Sequence, residues 1–448
     1  MNINSPDSSF SYAAQRARKN NSVIYQLFVS IFFYSSLAVM LLGSYLGAID
    51  TNFRLFSGVS LLMTFLSGVV ALIVSHDCRK IIKSKVVLLY AFFFAVYLFI
   101  GLIIFRNNLR AIIFEFGGFR GFFWGIFFFY LIIRSYKPKF QLLAFVLVPS
   151  LLVLYGQTLE IGRADIDVVG QSSRITAGLE PLNFFLLIPM GIALCVLSRY
   201  GWRWILFIWI TPLLMLYSSG FLAARRYGLI CVSFLVFTVL IVLTYQMSNG
   251  ILSNRSFLIR YRPLRKMITI VFTILAVILL IELFLNISSI VDNFLVFDRL
   301  SQVTQGDRSI ALRFKEAIEV IHSHQDLEFL FGRGIGATFF STPQSQFTDA
   351  TSWAHISAFT FWLKGGIVLF FAYIYCFYIA IPRLFLRALT KPSSMSPRKR
   401  TAILTVLPGV LAWAILSLTE GRITILYTIP FGFAYASYFH FKTYGIKI

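Results

Sequence analysis

Acidic residues, histidines and cysteines are scarce in this chain of 448 residues. It has 18 Asp and Glu residues against 40 Lys and Arg residues, with 5 histidines and 4 cysteines. The cysteines, at positions 78, 195, 231 and 376, lack the spacing of a disulfide framework or of a metal site. Internal repeats, including the inverted halves common in secondary transporters, are also missing from the sequence. We therefore expect neither a disulfide scaffold nor a metal centre.

Charged residues make up only 13% of the chain, whereas 58% of its residues are hydrophobic and the mean hydropathy is +0.79. A soluble domain could not hide so much apolar surface. About twelve runs are long enough to cross a ~30 Å hydrocarbon core as helices, and they lack the alternation of barrel strands. The sequence thus predicts an all-α polytopic membrane protein, with a cytosolic tail at 1–22 and one transmembrane domain at 23–448. The runs lie near 23–48, 55–75, 86–105, 113–133, 140–157, 182–198, 202–218, 225–245, 267–287, 356–380, 402–419 and 423–441.

The charged residues are distributed unevenly between the two sides of this predicted bundle. With the N-terminus inside, the inner loops and tails hold 25 basic and 2 acidic residues, whereas the outer side holds 15 basic and 16 acidic residues. This is the positive-inside pattern, so we interpret basic clusters such as CRKIIKSK as topology determinants and expect no nucleic-acid partner. The first apolar run is too long for a signal-peptide core, which predicts an uncleaved anchor and two cytosolic termini.

Two predicted outer segments, at about 158–180 and 288–355, are longer than a simple connection requires. Long structured loops often carry function. In the second segment, helical spacing predicts an amphipathic helix at about 308–322, with Asp307 as its N-cap, that lies on the membrane surface or caps the bundle. Its apolar side contains Ile310, Phe314, Ile318 and Ile321, and its polar side contains Arg313, Lys315, Glu316 and Glu319.

The sequence FLFGRGIG follows this helix and places glycines at positions 332, 334 and 336. A dinucleotide-binding loop would need a preceding strand, and none is predicted here. We therefore interpret the glycines as a tight turn that returns the chain to the membrane.

Arginines at the outer ends of the spans are candidates for a binding site, because they oppose the positive-inside bias. Arg225 and Arg226, in SSGFLAARRYG, either snorkel or pair with an outer acid such as Glu180 or Glu420. Alternatively, they clamp a diphosphate, whose oxygens match the planar guanidinium fork.

The other outer arginines leave the same choice open. Arg308 and Arg313 are either ordinary helix-surface charges, with a partner at Glu316, or ligands of the same anion. Arg163 and Arg174 lie among four acidic residues in the first outer segment, where pairing within the segment competes with ligand binding.

Three histidines lie on the predicted outer side. His355 opens an apolar run, two residues after Trp353, and is either an interfacial residue or a group that takes a proton near neutral pH. His322 and His324 are spaced i,i+2, which does not bring two side chains to one face of a helix. We therefore interpret them as a solvated helix end.

Taken together, these features resemble the bacterial O-antigen ligase and O-antigen polymerase superfamily. The resemblance covers roughly Ile161 to the end of the chain. It is carried by SSGFLAARRYG at the eighth span, GDRSIALRFKEAIEVI and FLFGRGIGATFF in the large loop, and HISAFTFWLKGGI at the tenth span. Family members carry a histidine followed by Asn, Ser or Gln and a glycine about ten residues later. His355 with Gly365 and Gly366 matches the spacing, whereas Ile356 departs from the motif.

The resemblance implies a fold related to membrane glycosyltransferases (GT-C-like) and a donor glycan carried on undecaprenyl diphosphate. It implies no metal, no nucleotide sugar and no other cofactor. The acceptor would be a hydroxyl of lipid A-core or of a growing glycan. By position, Arg225 or Arg226 matches an arginine at the donor phosphates, Arg308 or Arg313 matches the loop arginine, and His355 matches the essential histidine.

The implied chemistry is a metal-independent, inverting transfer at the periplasmic face of the bacterial inner membrane. The arginines would neutralise the diphosphate leaving group, and His355 would orient the acceptor hydroxyl and receive its proton. The resemblance leaves three activities open: ligase, polymerase and protein O-oligosaccharyltransferase. A transporter or flippase for lipid-linked sugar is the alternative outside enzymes. It would place charges near the bilayer midplane on broken helices, whereas Glu115, Arg120, Glu282 and Lys364 lie near the predicted outer ends of their spans.

Overall fold

The computed structural model describes residues 22–42, 55–161, 180–197, 308–340, 353–354, 356–417 and 425–446. Within these ranges the chain is helical and contains no β-strand. The predicted spans near 202–218, 225–245 and 267–287 and the first outer segment after residue 161 lie outside the described residues.

We number the helices in chain order. Two π-helical segments, Ile100–Ile104 and Tyr375–Ala380, continue the helices Lys85–Phe99 and Ser357–Ile374, and a short 3₁₀ turn, Pro392–Ser394, precedes the helix Pro397–Leu416. The helices are α1 (Ser22–Leu42), α2 (Leu55–Val74), α3 (His76–Ile82), α4 (Lys85–Phe99), α5 (Leu109–Arg134), α6 (Pro138–Ile161), α7 (Glu180–Leu197), α8 (Arg308–His322), α9 (Asp326–Phe331), α10 (Ser357–Ile374), α11 (Ile381–Thr390), α12 (Pro397–Leu416) and α13 (Ile425–Tyr444).

Several of these helices are long and apolar enough to cross a membrane. Among the described residues there are 5, or up to 6 if α2 and α3, which meet at a bend of 118°, form one span. The described residues are therefore helical with several candidate membrane spans, which agrees with the helical membrane protein that the composition predicts and accounts for up to 6 of the about twelve predicted spans. Each predicted run inside the described ranges falls on a helix. The 5 are Ser22–Leu42, Lys85–Ile104, Ala111–Arg134, Ser357–Thr390 and Pro397–Leu416.

The pair of α5 and α13 forms the centre of the packed bundle. The two helices run in the same direction, because the hydroxyl of Thr428 donates to the carbonyl of Gly118 near one end and the ring of Phe129 contacts Phe441 near the other. Gly125 lies so close to α13 that an added Cβ would overlap the Ile429 carbonyl. Close approach at small residues is the usual way for helices to associate in lipid.

A core of aromatic side chains extends from this pair to α1, α6 and α7. The ring of Phe145 stacks on Phe433 at a centroid distance of 4.9 Å and meets Phe185 edge-on at 5.2 Å. Phe33 and Phe128 complete the same cluster, and all of these side chains are fully buried. This core fixes α5, which carries one of the charged residues of the site described below.

The end of the bundle with the basic cluster at 78–85 is closed by α3. Ser75 caps α3 by accepting a hydrogen bond from the backbone N–H of Cys78. The hydroxyl of Tyr444, at the end of α13, donates to Asp77 at 2.8 Å. In the predicted topology this is the inner end of the bundle. The starts of α5 and α10 and the end of α4 lie at the opposite, outer end.

Helix α8 has the predicted bounds of the loop helix, and its contact with α10 decides which of its residues are buried. Of the predicted apolar side, Phe314 and Ile318 are exposed, with 59% and 51% of their surface accessible. Glu316, predicted on the polar side, is fully buried beside Ala317 and Val320. The reason is that α8 packs its Ala317 and Val320 side on α10, with Ile321 partly buried there, so that Phe314 and Ile318 point away from the protein.

Candidate functional site

Four of the predicted site residues lie outside the described residues: His355, Arg174, Arg225 and Arg226. Arg308 is the first residue of α8, and Arg313 follows in the same helix, where it is half-buried. Ala354 and Ile356, on either side of His355, are described, and Ile356 is the N-cap of α10. Gly365 and Gly366 lie inside α10.

The loop helix α8 and the start of α10 belong to one packed unit. Val320 of α8 is buried in the same cluster as Ala354, the residue before His355 in the sequence. The ring of Phe329 in α9 meets the Trp362 ring of α10 edge-on at 5.2 Å. The structure therefore packs the end of the loop helix that carries Arg308 and Arg313 against Ala354 and the start of α10. The cluster consists of Val320, Ala337, Phe339, Ala354, Trp362 and Leu363.

Thr360 fixes the backbone just before His355. Its hydroxyl donates to the carbonyl of Ala354 at 3.1 Å and also lies 2.9 Å from the Ala354 N–H, from which it accepts. Thr360 and Ala354 are both buried. The chain preceding α10 is thus anchored to the first turn of that helix.

His324 corrects the prediction of a solvated helix end. It is only 7% exposed, whereas His322 is exposed as predicted. The Nδ1 atom of His324 lies 2.8 Å from the Val320 carbonyl and its Nε2 atom lies 3.2 Å from the Leu363 carbonyl. The imidazole therefore connects the end of α8 to the backbone of α10, and its role is structural.

Residues 331–337, which we call the glycine segment, dock between α10 and the end of α4. Gly332, Gly334 and Gly336 have φ values of 68°, 75° and 82°, in the region that only glycine adopts readily. A turn lies at residues 335 and 336, as predicted, but the segment is more than a turn. It donates four successive backbone hydrogen bonds to the bundle, from Arg333 to Leu363 O, Gly334 to Lys364 O, Ile335 to Tyr97 O and Gly336 to Glu115 Oε2.

Helix α10 is broken where the glycine segment meets it. Gly365 has φ −131° and ψ 15°, and Gly366 has φ 62° and ψ −163°, so neither residue is helical. The break frees the carbonyls of Leu363 and Lys364 to accept hydrogen bonds from the glycine segment. An added Cβ at Gly332 would overlap the backbone of Lys364 and Gly365, and one at Gly366 would overlap the Leu330 carbonyl. The glycines predicted as motif residues therefore have a clear packing role.

The end of α4 accommodates the other side of the glycine segment. The Gly101 backbone, within the π-helical segment, lies against Ile335, where a side chain would overlap the Ile335 carbonyl. The side-chain amide of Asn107 donates to the carbonyls of Arg333 and Ile335 at 2.8 and 2.9 Å. Segments of π-helix often mark functional sites, and here the wider turn admits a neighbouring backbone.

A buried ion pair lies at the centre of this junction. The Lys364 ammonium is 2.5 Å from Glu115 Oε1, and the two side chains are 3% and 4% exposed. Lys364 also donates to the Ala337 carbonyl at 2.6 Å, and the second carboxylate oxygen of Glu115 accepts from the Gly336 N–H at 2.7 Å. In the sequence both residues are charges near predicted outer span ends, and nothing local links one to the other. The sequence feature that indicates such a pair is the presence of one acidic and one basic residue in spans that are otherwise poor in charge.

The described residues contain no group of three or more His, Cys, Asp or Glu side chains placed to hold a metal ion. Comparison of the chain with models of protein families, with curated proteins and with solved structures finds no match. The family resemblance of the motifs thus stays a prediction from the sequence.

Proposed function

We propose that this protein is a membrane glycan transferase that acts at the periplasmic face of the bacterial inner membrane. It moves a polysaccharide or repeat unit from undecaprenyl diphosphate to an acceptor hydroxyl, and lipid A-core is the first candidate acceptor. The observation that supports this proposal is the packed unit of α8, the glycine segment and α10. In this unit the end of α8, the helix that carries Arg308 and Arg313, packs against the start of α10, which follows His355 in the sequence.

The proposed roles follow from the charge that develops during transfer. Cleavage of the sugar–phosphate bond leaves an anionic polyprenyl diphosphate, which fixed guanidinium groups stabilise without a metal. Arg308 or Arg313 supplies one such group, and Arg225, Arg226 or Arg174 supplies others. His355 accepts the proton of the attacking hydroxyl as the new glycosidic bond forms, and attack from the opposite face inverts the anomeric carbon.

Deletion of the gene, followed by gel analysis of the surface glycans, tests the proposal. Loss of polymeric glycan from the lipid A-core, with free lipid-linked polymer accumulating, means a ligase. A ladder reduced to a single repeat unit means a polymerase. If the glycans are unchanged and a glycoprotein is lost, the acceptor is a protein.

Complementation with variants then tests the residues. We expect His355→Ala to abolish transfer at normal membrane levels and His322→Ala to restore it fully, because His322 is exposed at the end of α8. Arg313→Lys should raise the donor KM by about tenfold, since a charged bidentate hydrogen bond contributes ~1.5–3 kcal/mol. Near-normal transfer by His355→Ala would rule out the assigned role of His355.

Transport of a lipid-linked sugar is the second candidate, because α10 is a broken helix with charged Lys364 at its break. Discontinuous helices with charges are typical of transporters. Here, however, Glu115 neutralises the charge and the glycine segment fills the break. Accumulation of lipid-linked glycan on the cytosolic leaflet after gene deletion would favour the transporter, whereas accumulation on the outer leaflet favours the transferase.

A further inference from the structure

The Glu115–Lys364 pair forms several hydrogen bonds in addition to neutralising two opposite charges. Each of the two carboxylate oxygens has its own donor, Lys364 Nζ for Oε1 and Gly336 N–H for Oε2. The ammonium in turn reaches both the carboxylate and the Ala337 carbonyl. The pair therefore joins three parts of the protein that are distant in sequence: α5, the glycine segment and α10.

The position of Lys364 links this pair to the segment around His355. Lys364 immediately precedes the break at Gly365, and the helical part of α10 before it is short, beginning at Ser357. Only about 10 Å of helix, at ~1.5 Å per residue, separates Ser357 from Lys364. Anything that fixes Lys364 therefore fixes the start of α10 and the backbone at Ala354 that Thr360 anchors to it.

From this geometry we infer that Glu115 and Lys364 are a positioning pair. They dock the glycine segment into the break of α10 and thereby hold the start of α10 and helix α8 in the arrangement required for transfer. This inference rests on the proposed function for its catalytic part, whereas the docking itself can be measured without any activity.

Hydrogen exchange of the glycine segment measures the docking. The backbone amides of residues 333–336 are all hydrogen-bonded to the bundle, so they should exchange slowly in the intact protein. In Lys364→Met, the Glu115 carboxylate keeps its charge without the ammonium that offsets it. Breaking one half of a buried pair is strongly destabilising, so we expect exchange at 333–336 to accelerate by at least about 100-fold.

A double variant separates loss of charge from loss of docking. In Glu115→Gln alone, the amide oxygen can accept from either Lys364 or Gly336, which leaves the amide nitrogen facing the other donor. In Glu115→Gln with Lys364→Met, no buried charge is left without a partner, and the amide oxygen can accept from the Gly336 N–H as Glu115 Oε2 does in the wild type. We therefore expect the double variant to exchange within about threefold of the wild type, a non-additive result for two residues in contact.

Transfer kinetics in lipid nanodiscs with a polyprenyl-diphosphate-linked glycan measure the positioning. We expect kcat of Lys364→Met to fall by about tenfold or more and its donor KM to rise, because α8 carries the arginines proposed to bind the donor and because misplaced catalytic groups slow the chemical step. The double variant should recover most of kcat. Lys315→Met, at an exposed lysine of α8, should match the wild type in both measurements.

The measurements test the docking role and the positioning role of the pair separately. Unchanged exchange at 333–336 in Lys364→Met would overturn the docking role. Accelerated exchange with wild-type kcat, or a double variant that docks but does not transfer, would overturn the positioning role. If the wild type transfers no glycan, the proposed function fails, and the exchange measurements still decide whether the pair docks the segment.

Discussion

The side-chain amide of Asn107 is hydrogen-bonded to the carbonyl of Ile335, 228 positions further along the chain, at 2.9 Å. The same nitrogen lies 2.8 Å from the carbonyl of Arg333. One amide group thus holds two carbonyls of the glycine segment at the end of α4. Asn107 is itself fixed, because its backbone N–H donates to the Gly101 carbonyl at 2.8 Å.

The stability of Asn107 variants should therefore depend on the loss of the hydrogen-bond donor rather than on the loss of side-chain volume. Asn107→Ala leaves two carbonyls without this donor and should lower the free energy of unfolding by about 1–3 kcal/mol. Asn107→Asp should be worse, because a carboxylate oxygen would replace the amide nitrogen facing two carbonyl oxygens. Thermal unfolding in detergent measures the order of stability of the wild type and the two variants. Equal stability of Asn107→Asp and the wild type would contradict the hydrogen-bond assignment.

Gly366 should tolerate no side chain. Its φ of 62° and ψ of −163° form a conformation that is essentially limited to glycine, and a Cβ would overlap the Leu330 carbonyl. Gly366→Ala should thus destabilise the protein by at least ~1–3 kcal/mol in the thermal unfolding assay. Gly58→Ala provides the control, because an added Cβ there meets no atom within 4 Å and should stabilise α2 by ~0.5–1 kcal/mol. The same melting temperature for both variants would show that α10 is not broken at Gly366.

His324 and His322 offer a matched pair of substitutions two residues apart. His324→Phe removes both contacts of the ring, with the Val320 and Leu363 carbonyls, in a buried place. We expect a loss of about 1–3 kcal/mol in the free energy of unfolding, together with faster proteolysis of the loop around 323–340. His322→Phe, at an exposed position, should leave both properties unchanged. If the two variants behave alike, the imidazole of His324 does not connect α8 to α10.

Periodicity and composition predict those parts of the fold that local sequence determines. The bounds of α8 follow from the helical spacing of its apolar residues, and the turn within FLFGRGIG follows from its glycines. Which face of α8 is buried does not follow in this way. Glu316 is buried and Phe314 is exposed because the contact with α10 decides burial, and no local pattern describes that contact.

The ion pair at the candidate site is also beyond what local sequence can predict. Glu115 and Lys364 are 249 positions apart, and each alone looks like a charge near the end of a span. Their pairing depends on a break in α10, a π-helical end of α4 and a docked segment from a loop, three local features that no hydrophobic period encodes. The roles of all the candidate site residues stay predictions, and His355, Arg225, Arg226 and Arg174 lie outside the described ranges.

The orientation of the protein in the membrane is open to a direct measurement. The excess of basic residues on one set of loops predicts that α8 is periplasmic and that the segment between α11 and α12 is cytosolic. In a variant with all four native cysteines replaced by serine, Lys315→Cys and Lys391→Cys each add one thiol at an exposed lysine. A membrane-impermeant maleimide added to intact spheroplasts should label the cysteine at position 315 and leave the one at position 391 unlabelled until the membrane is permeabilised. The reverse pattern would place Arg308 and Arg313 on the cytosolic side, where a periplasmic transferase could not use them.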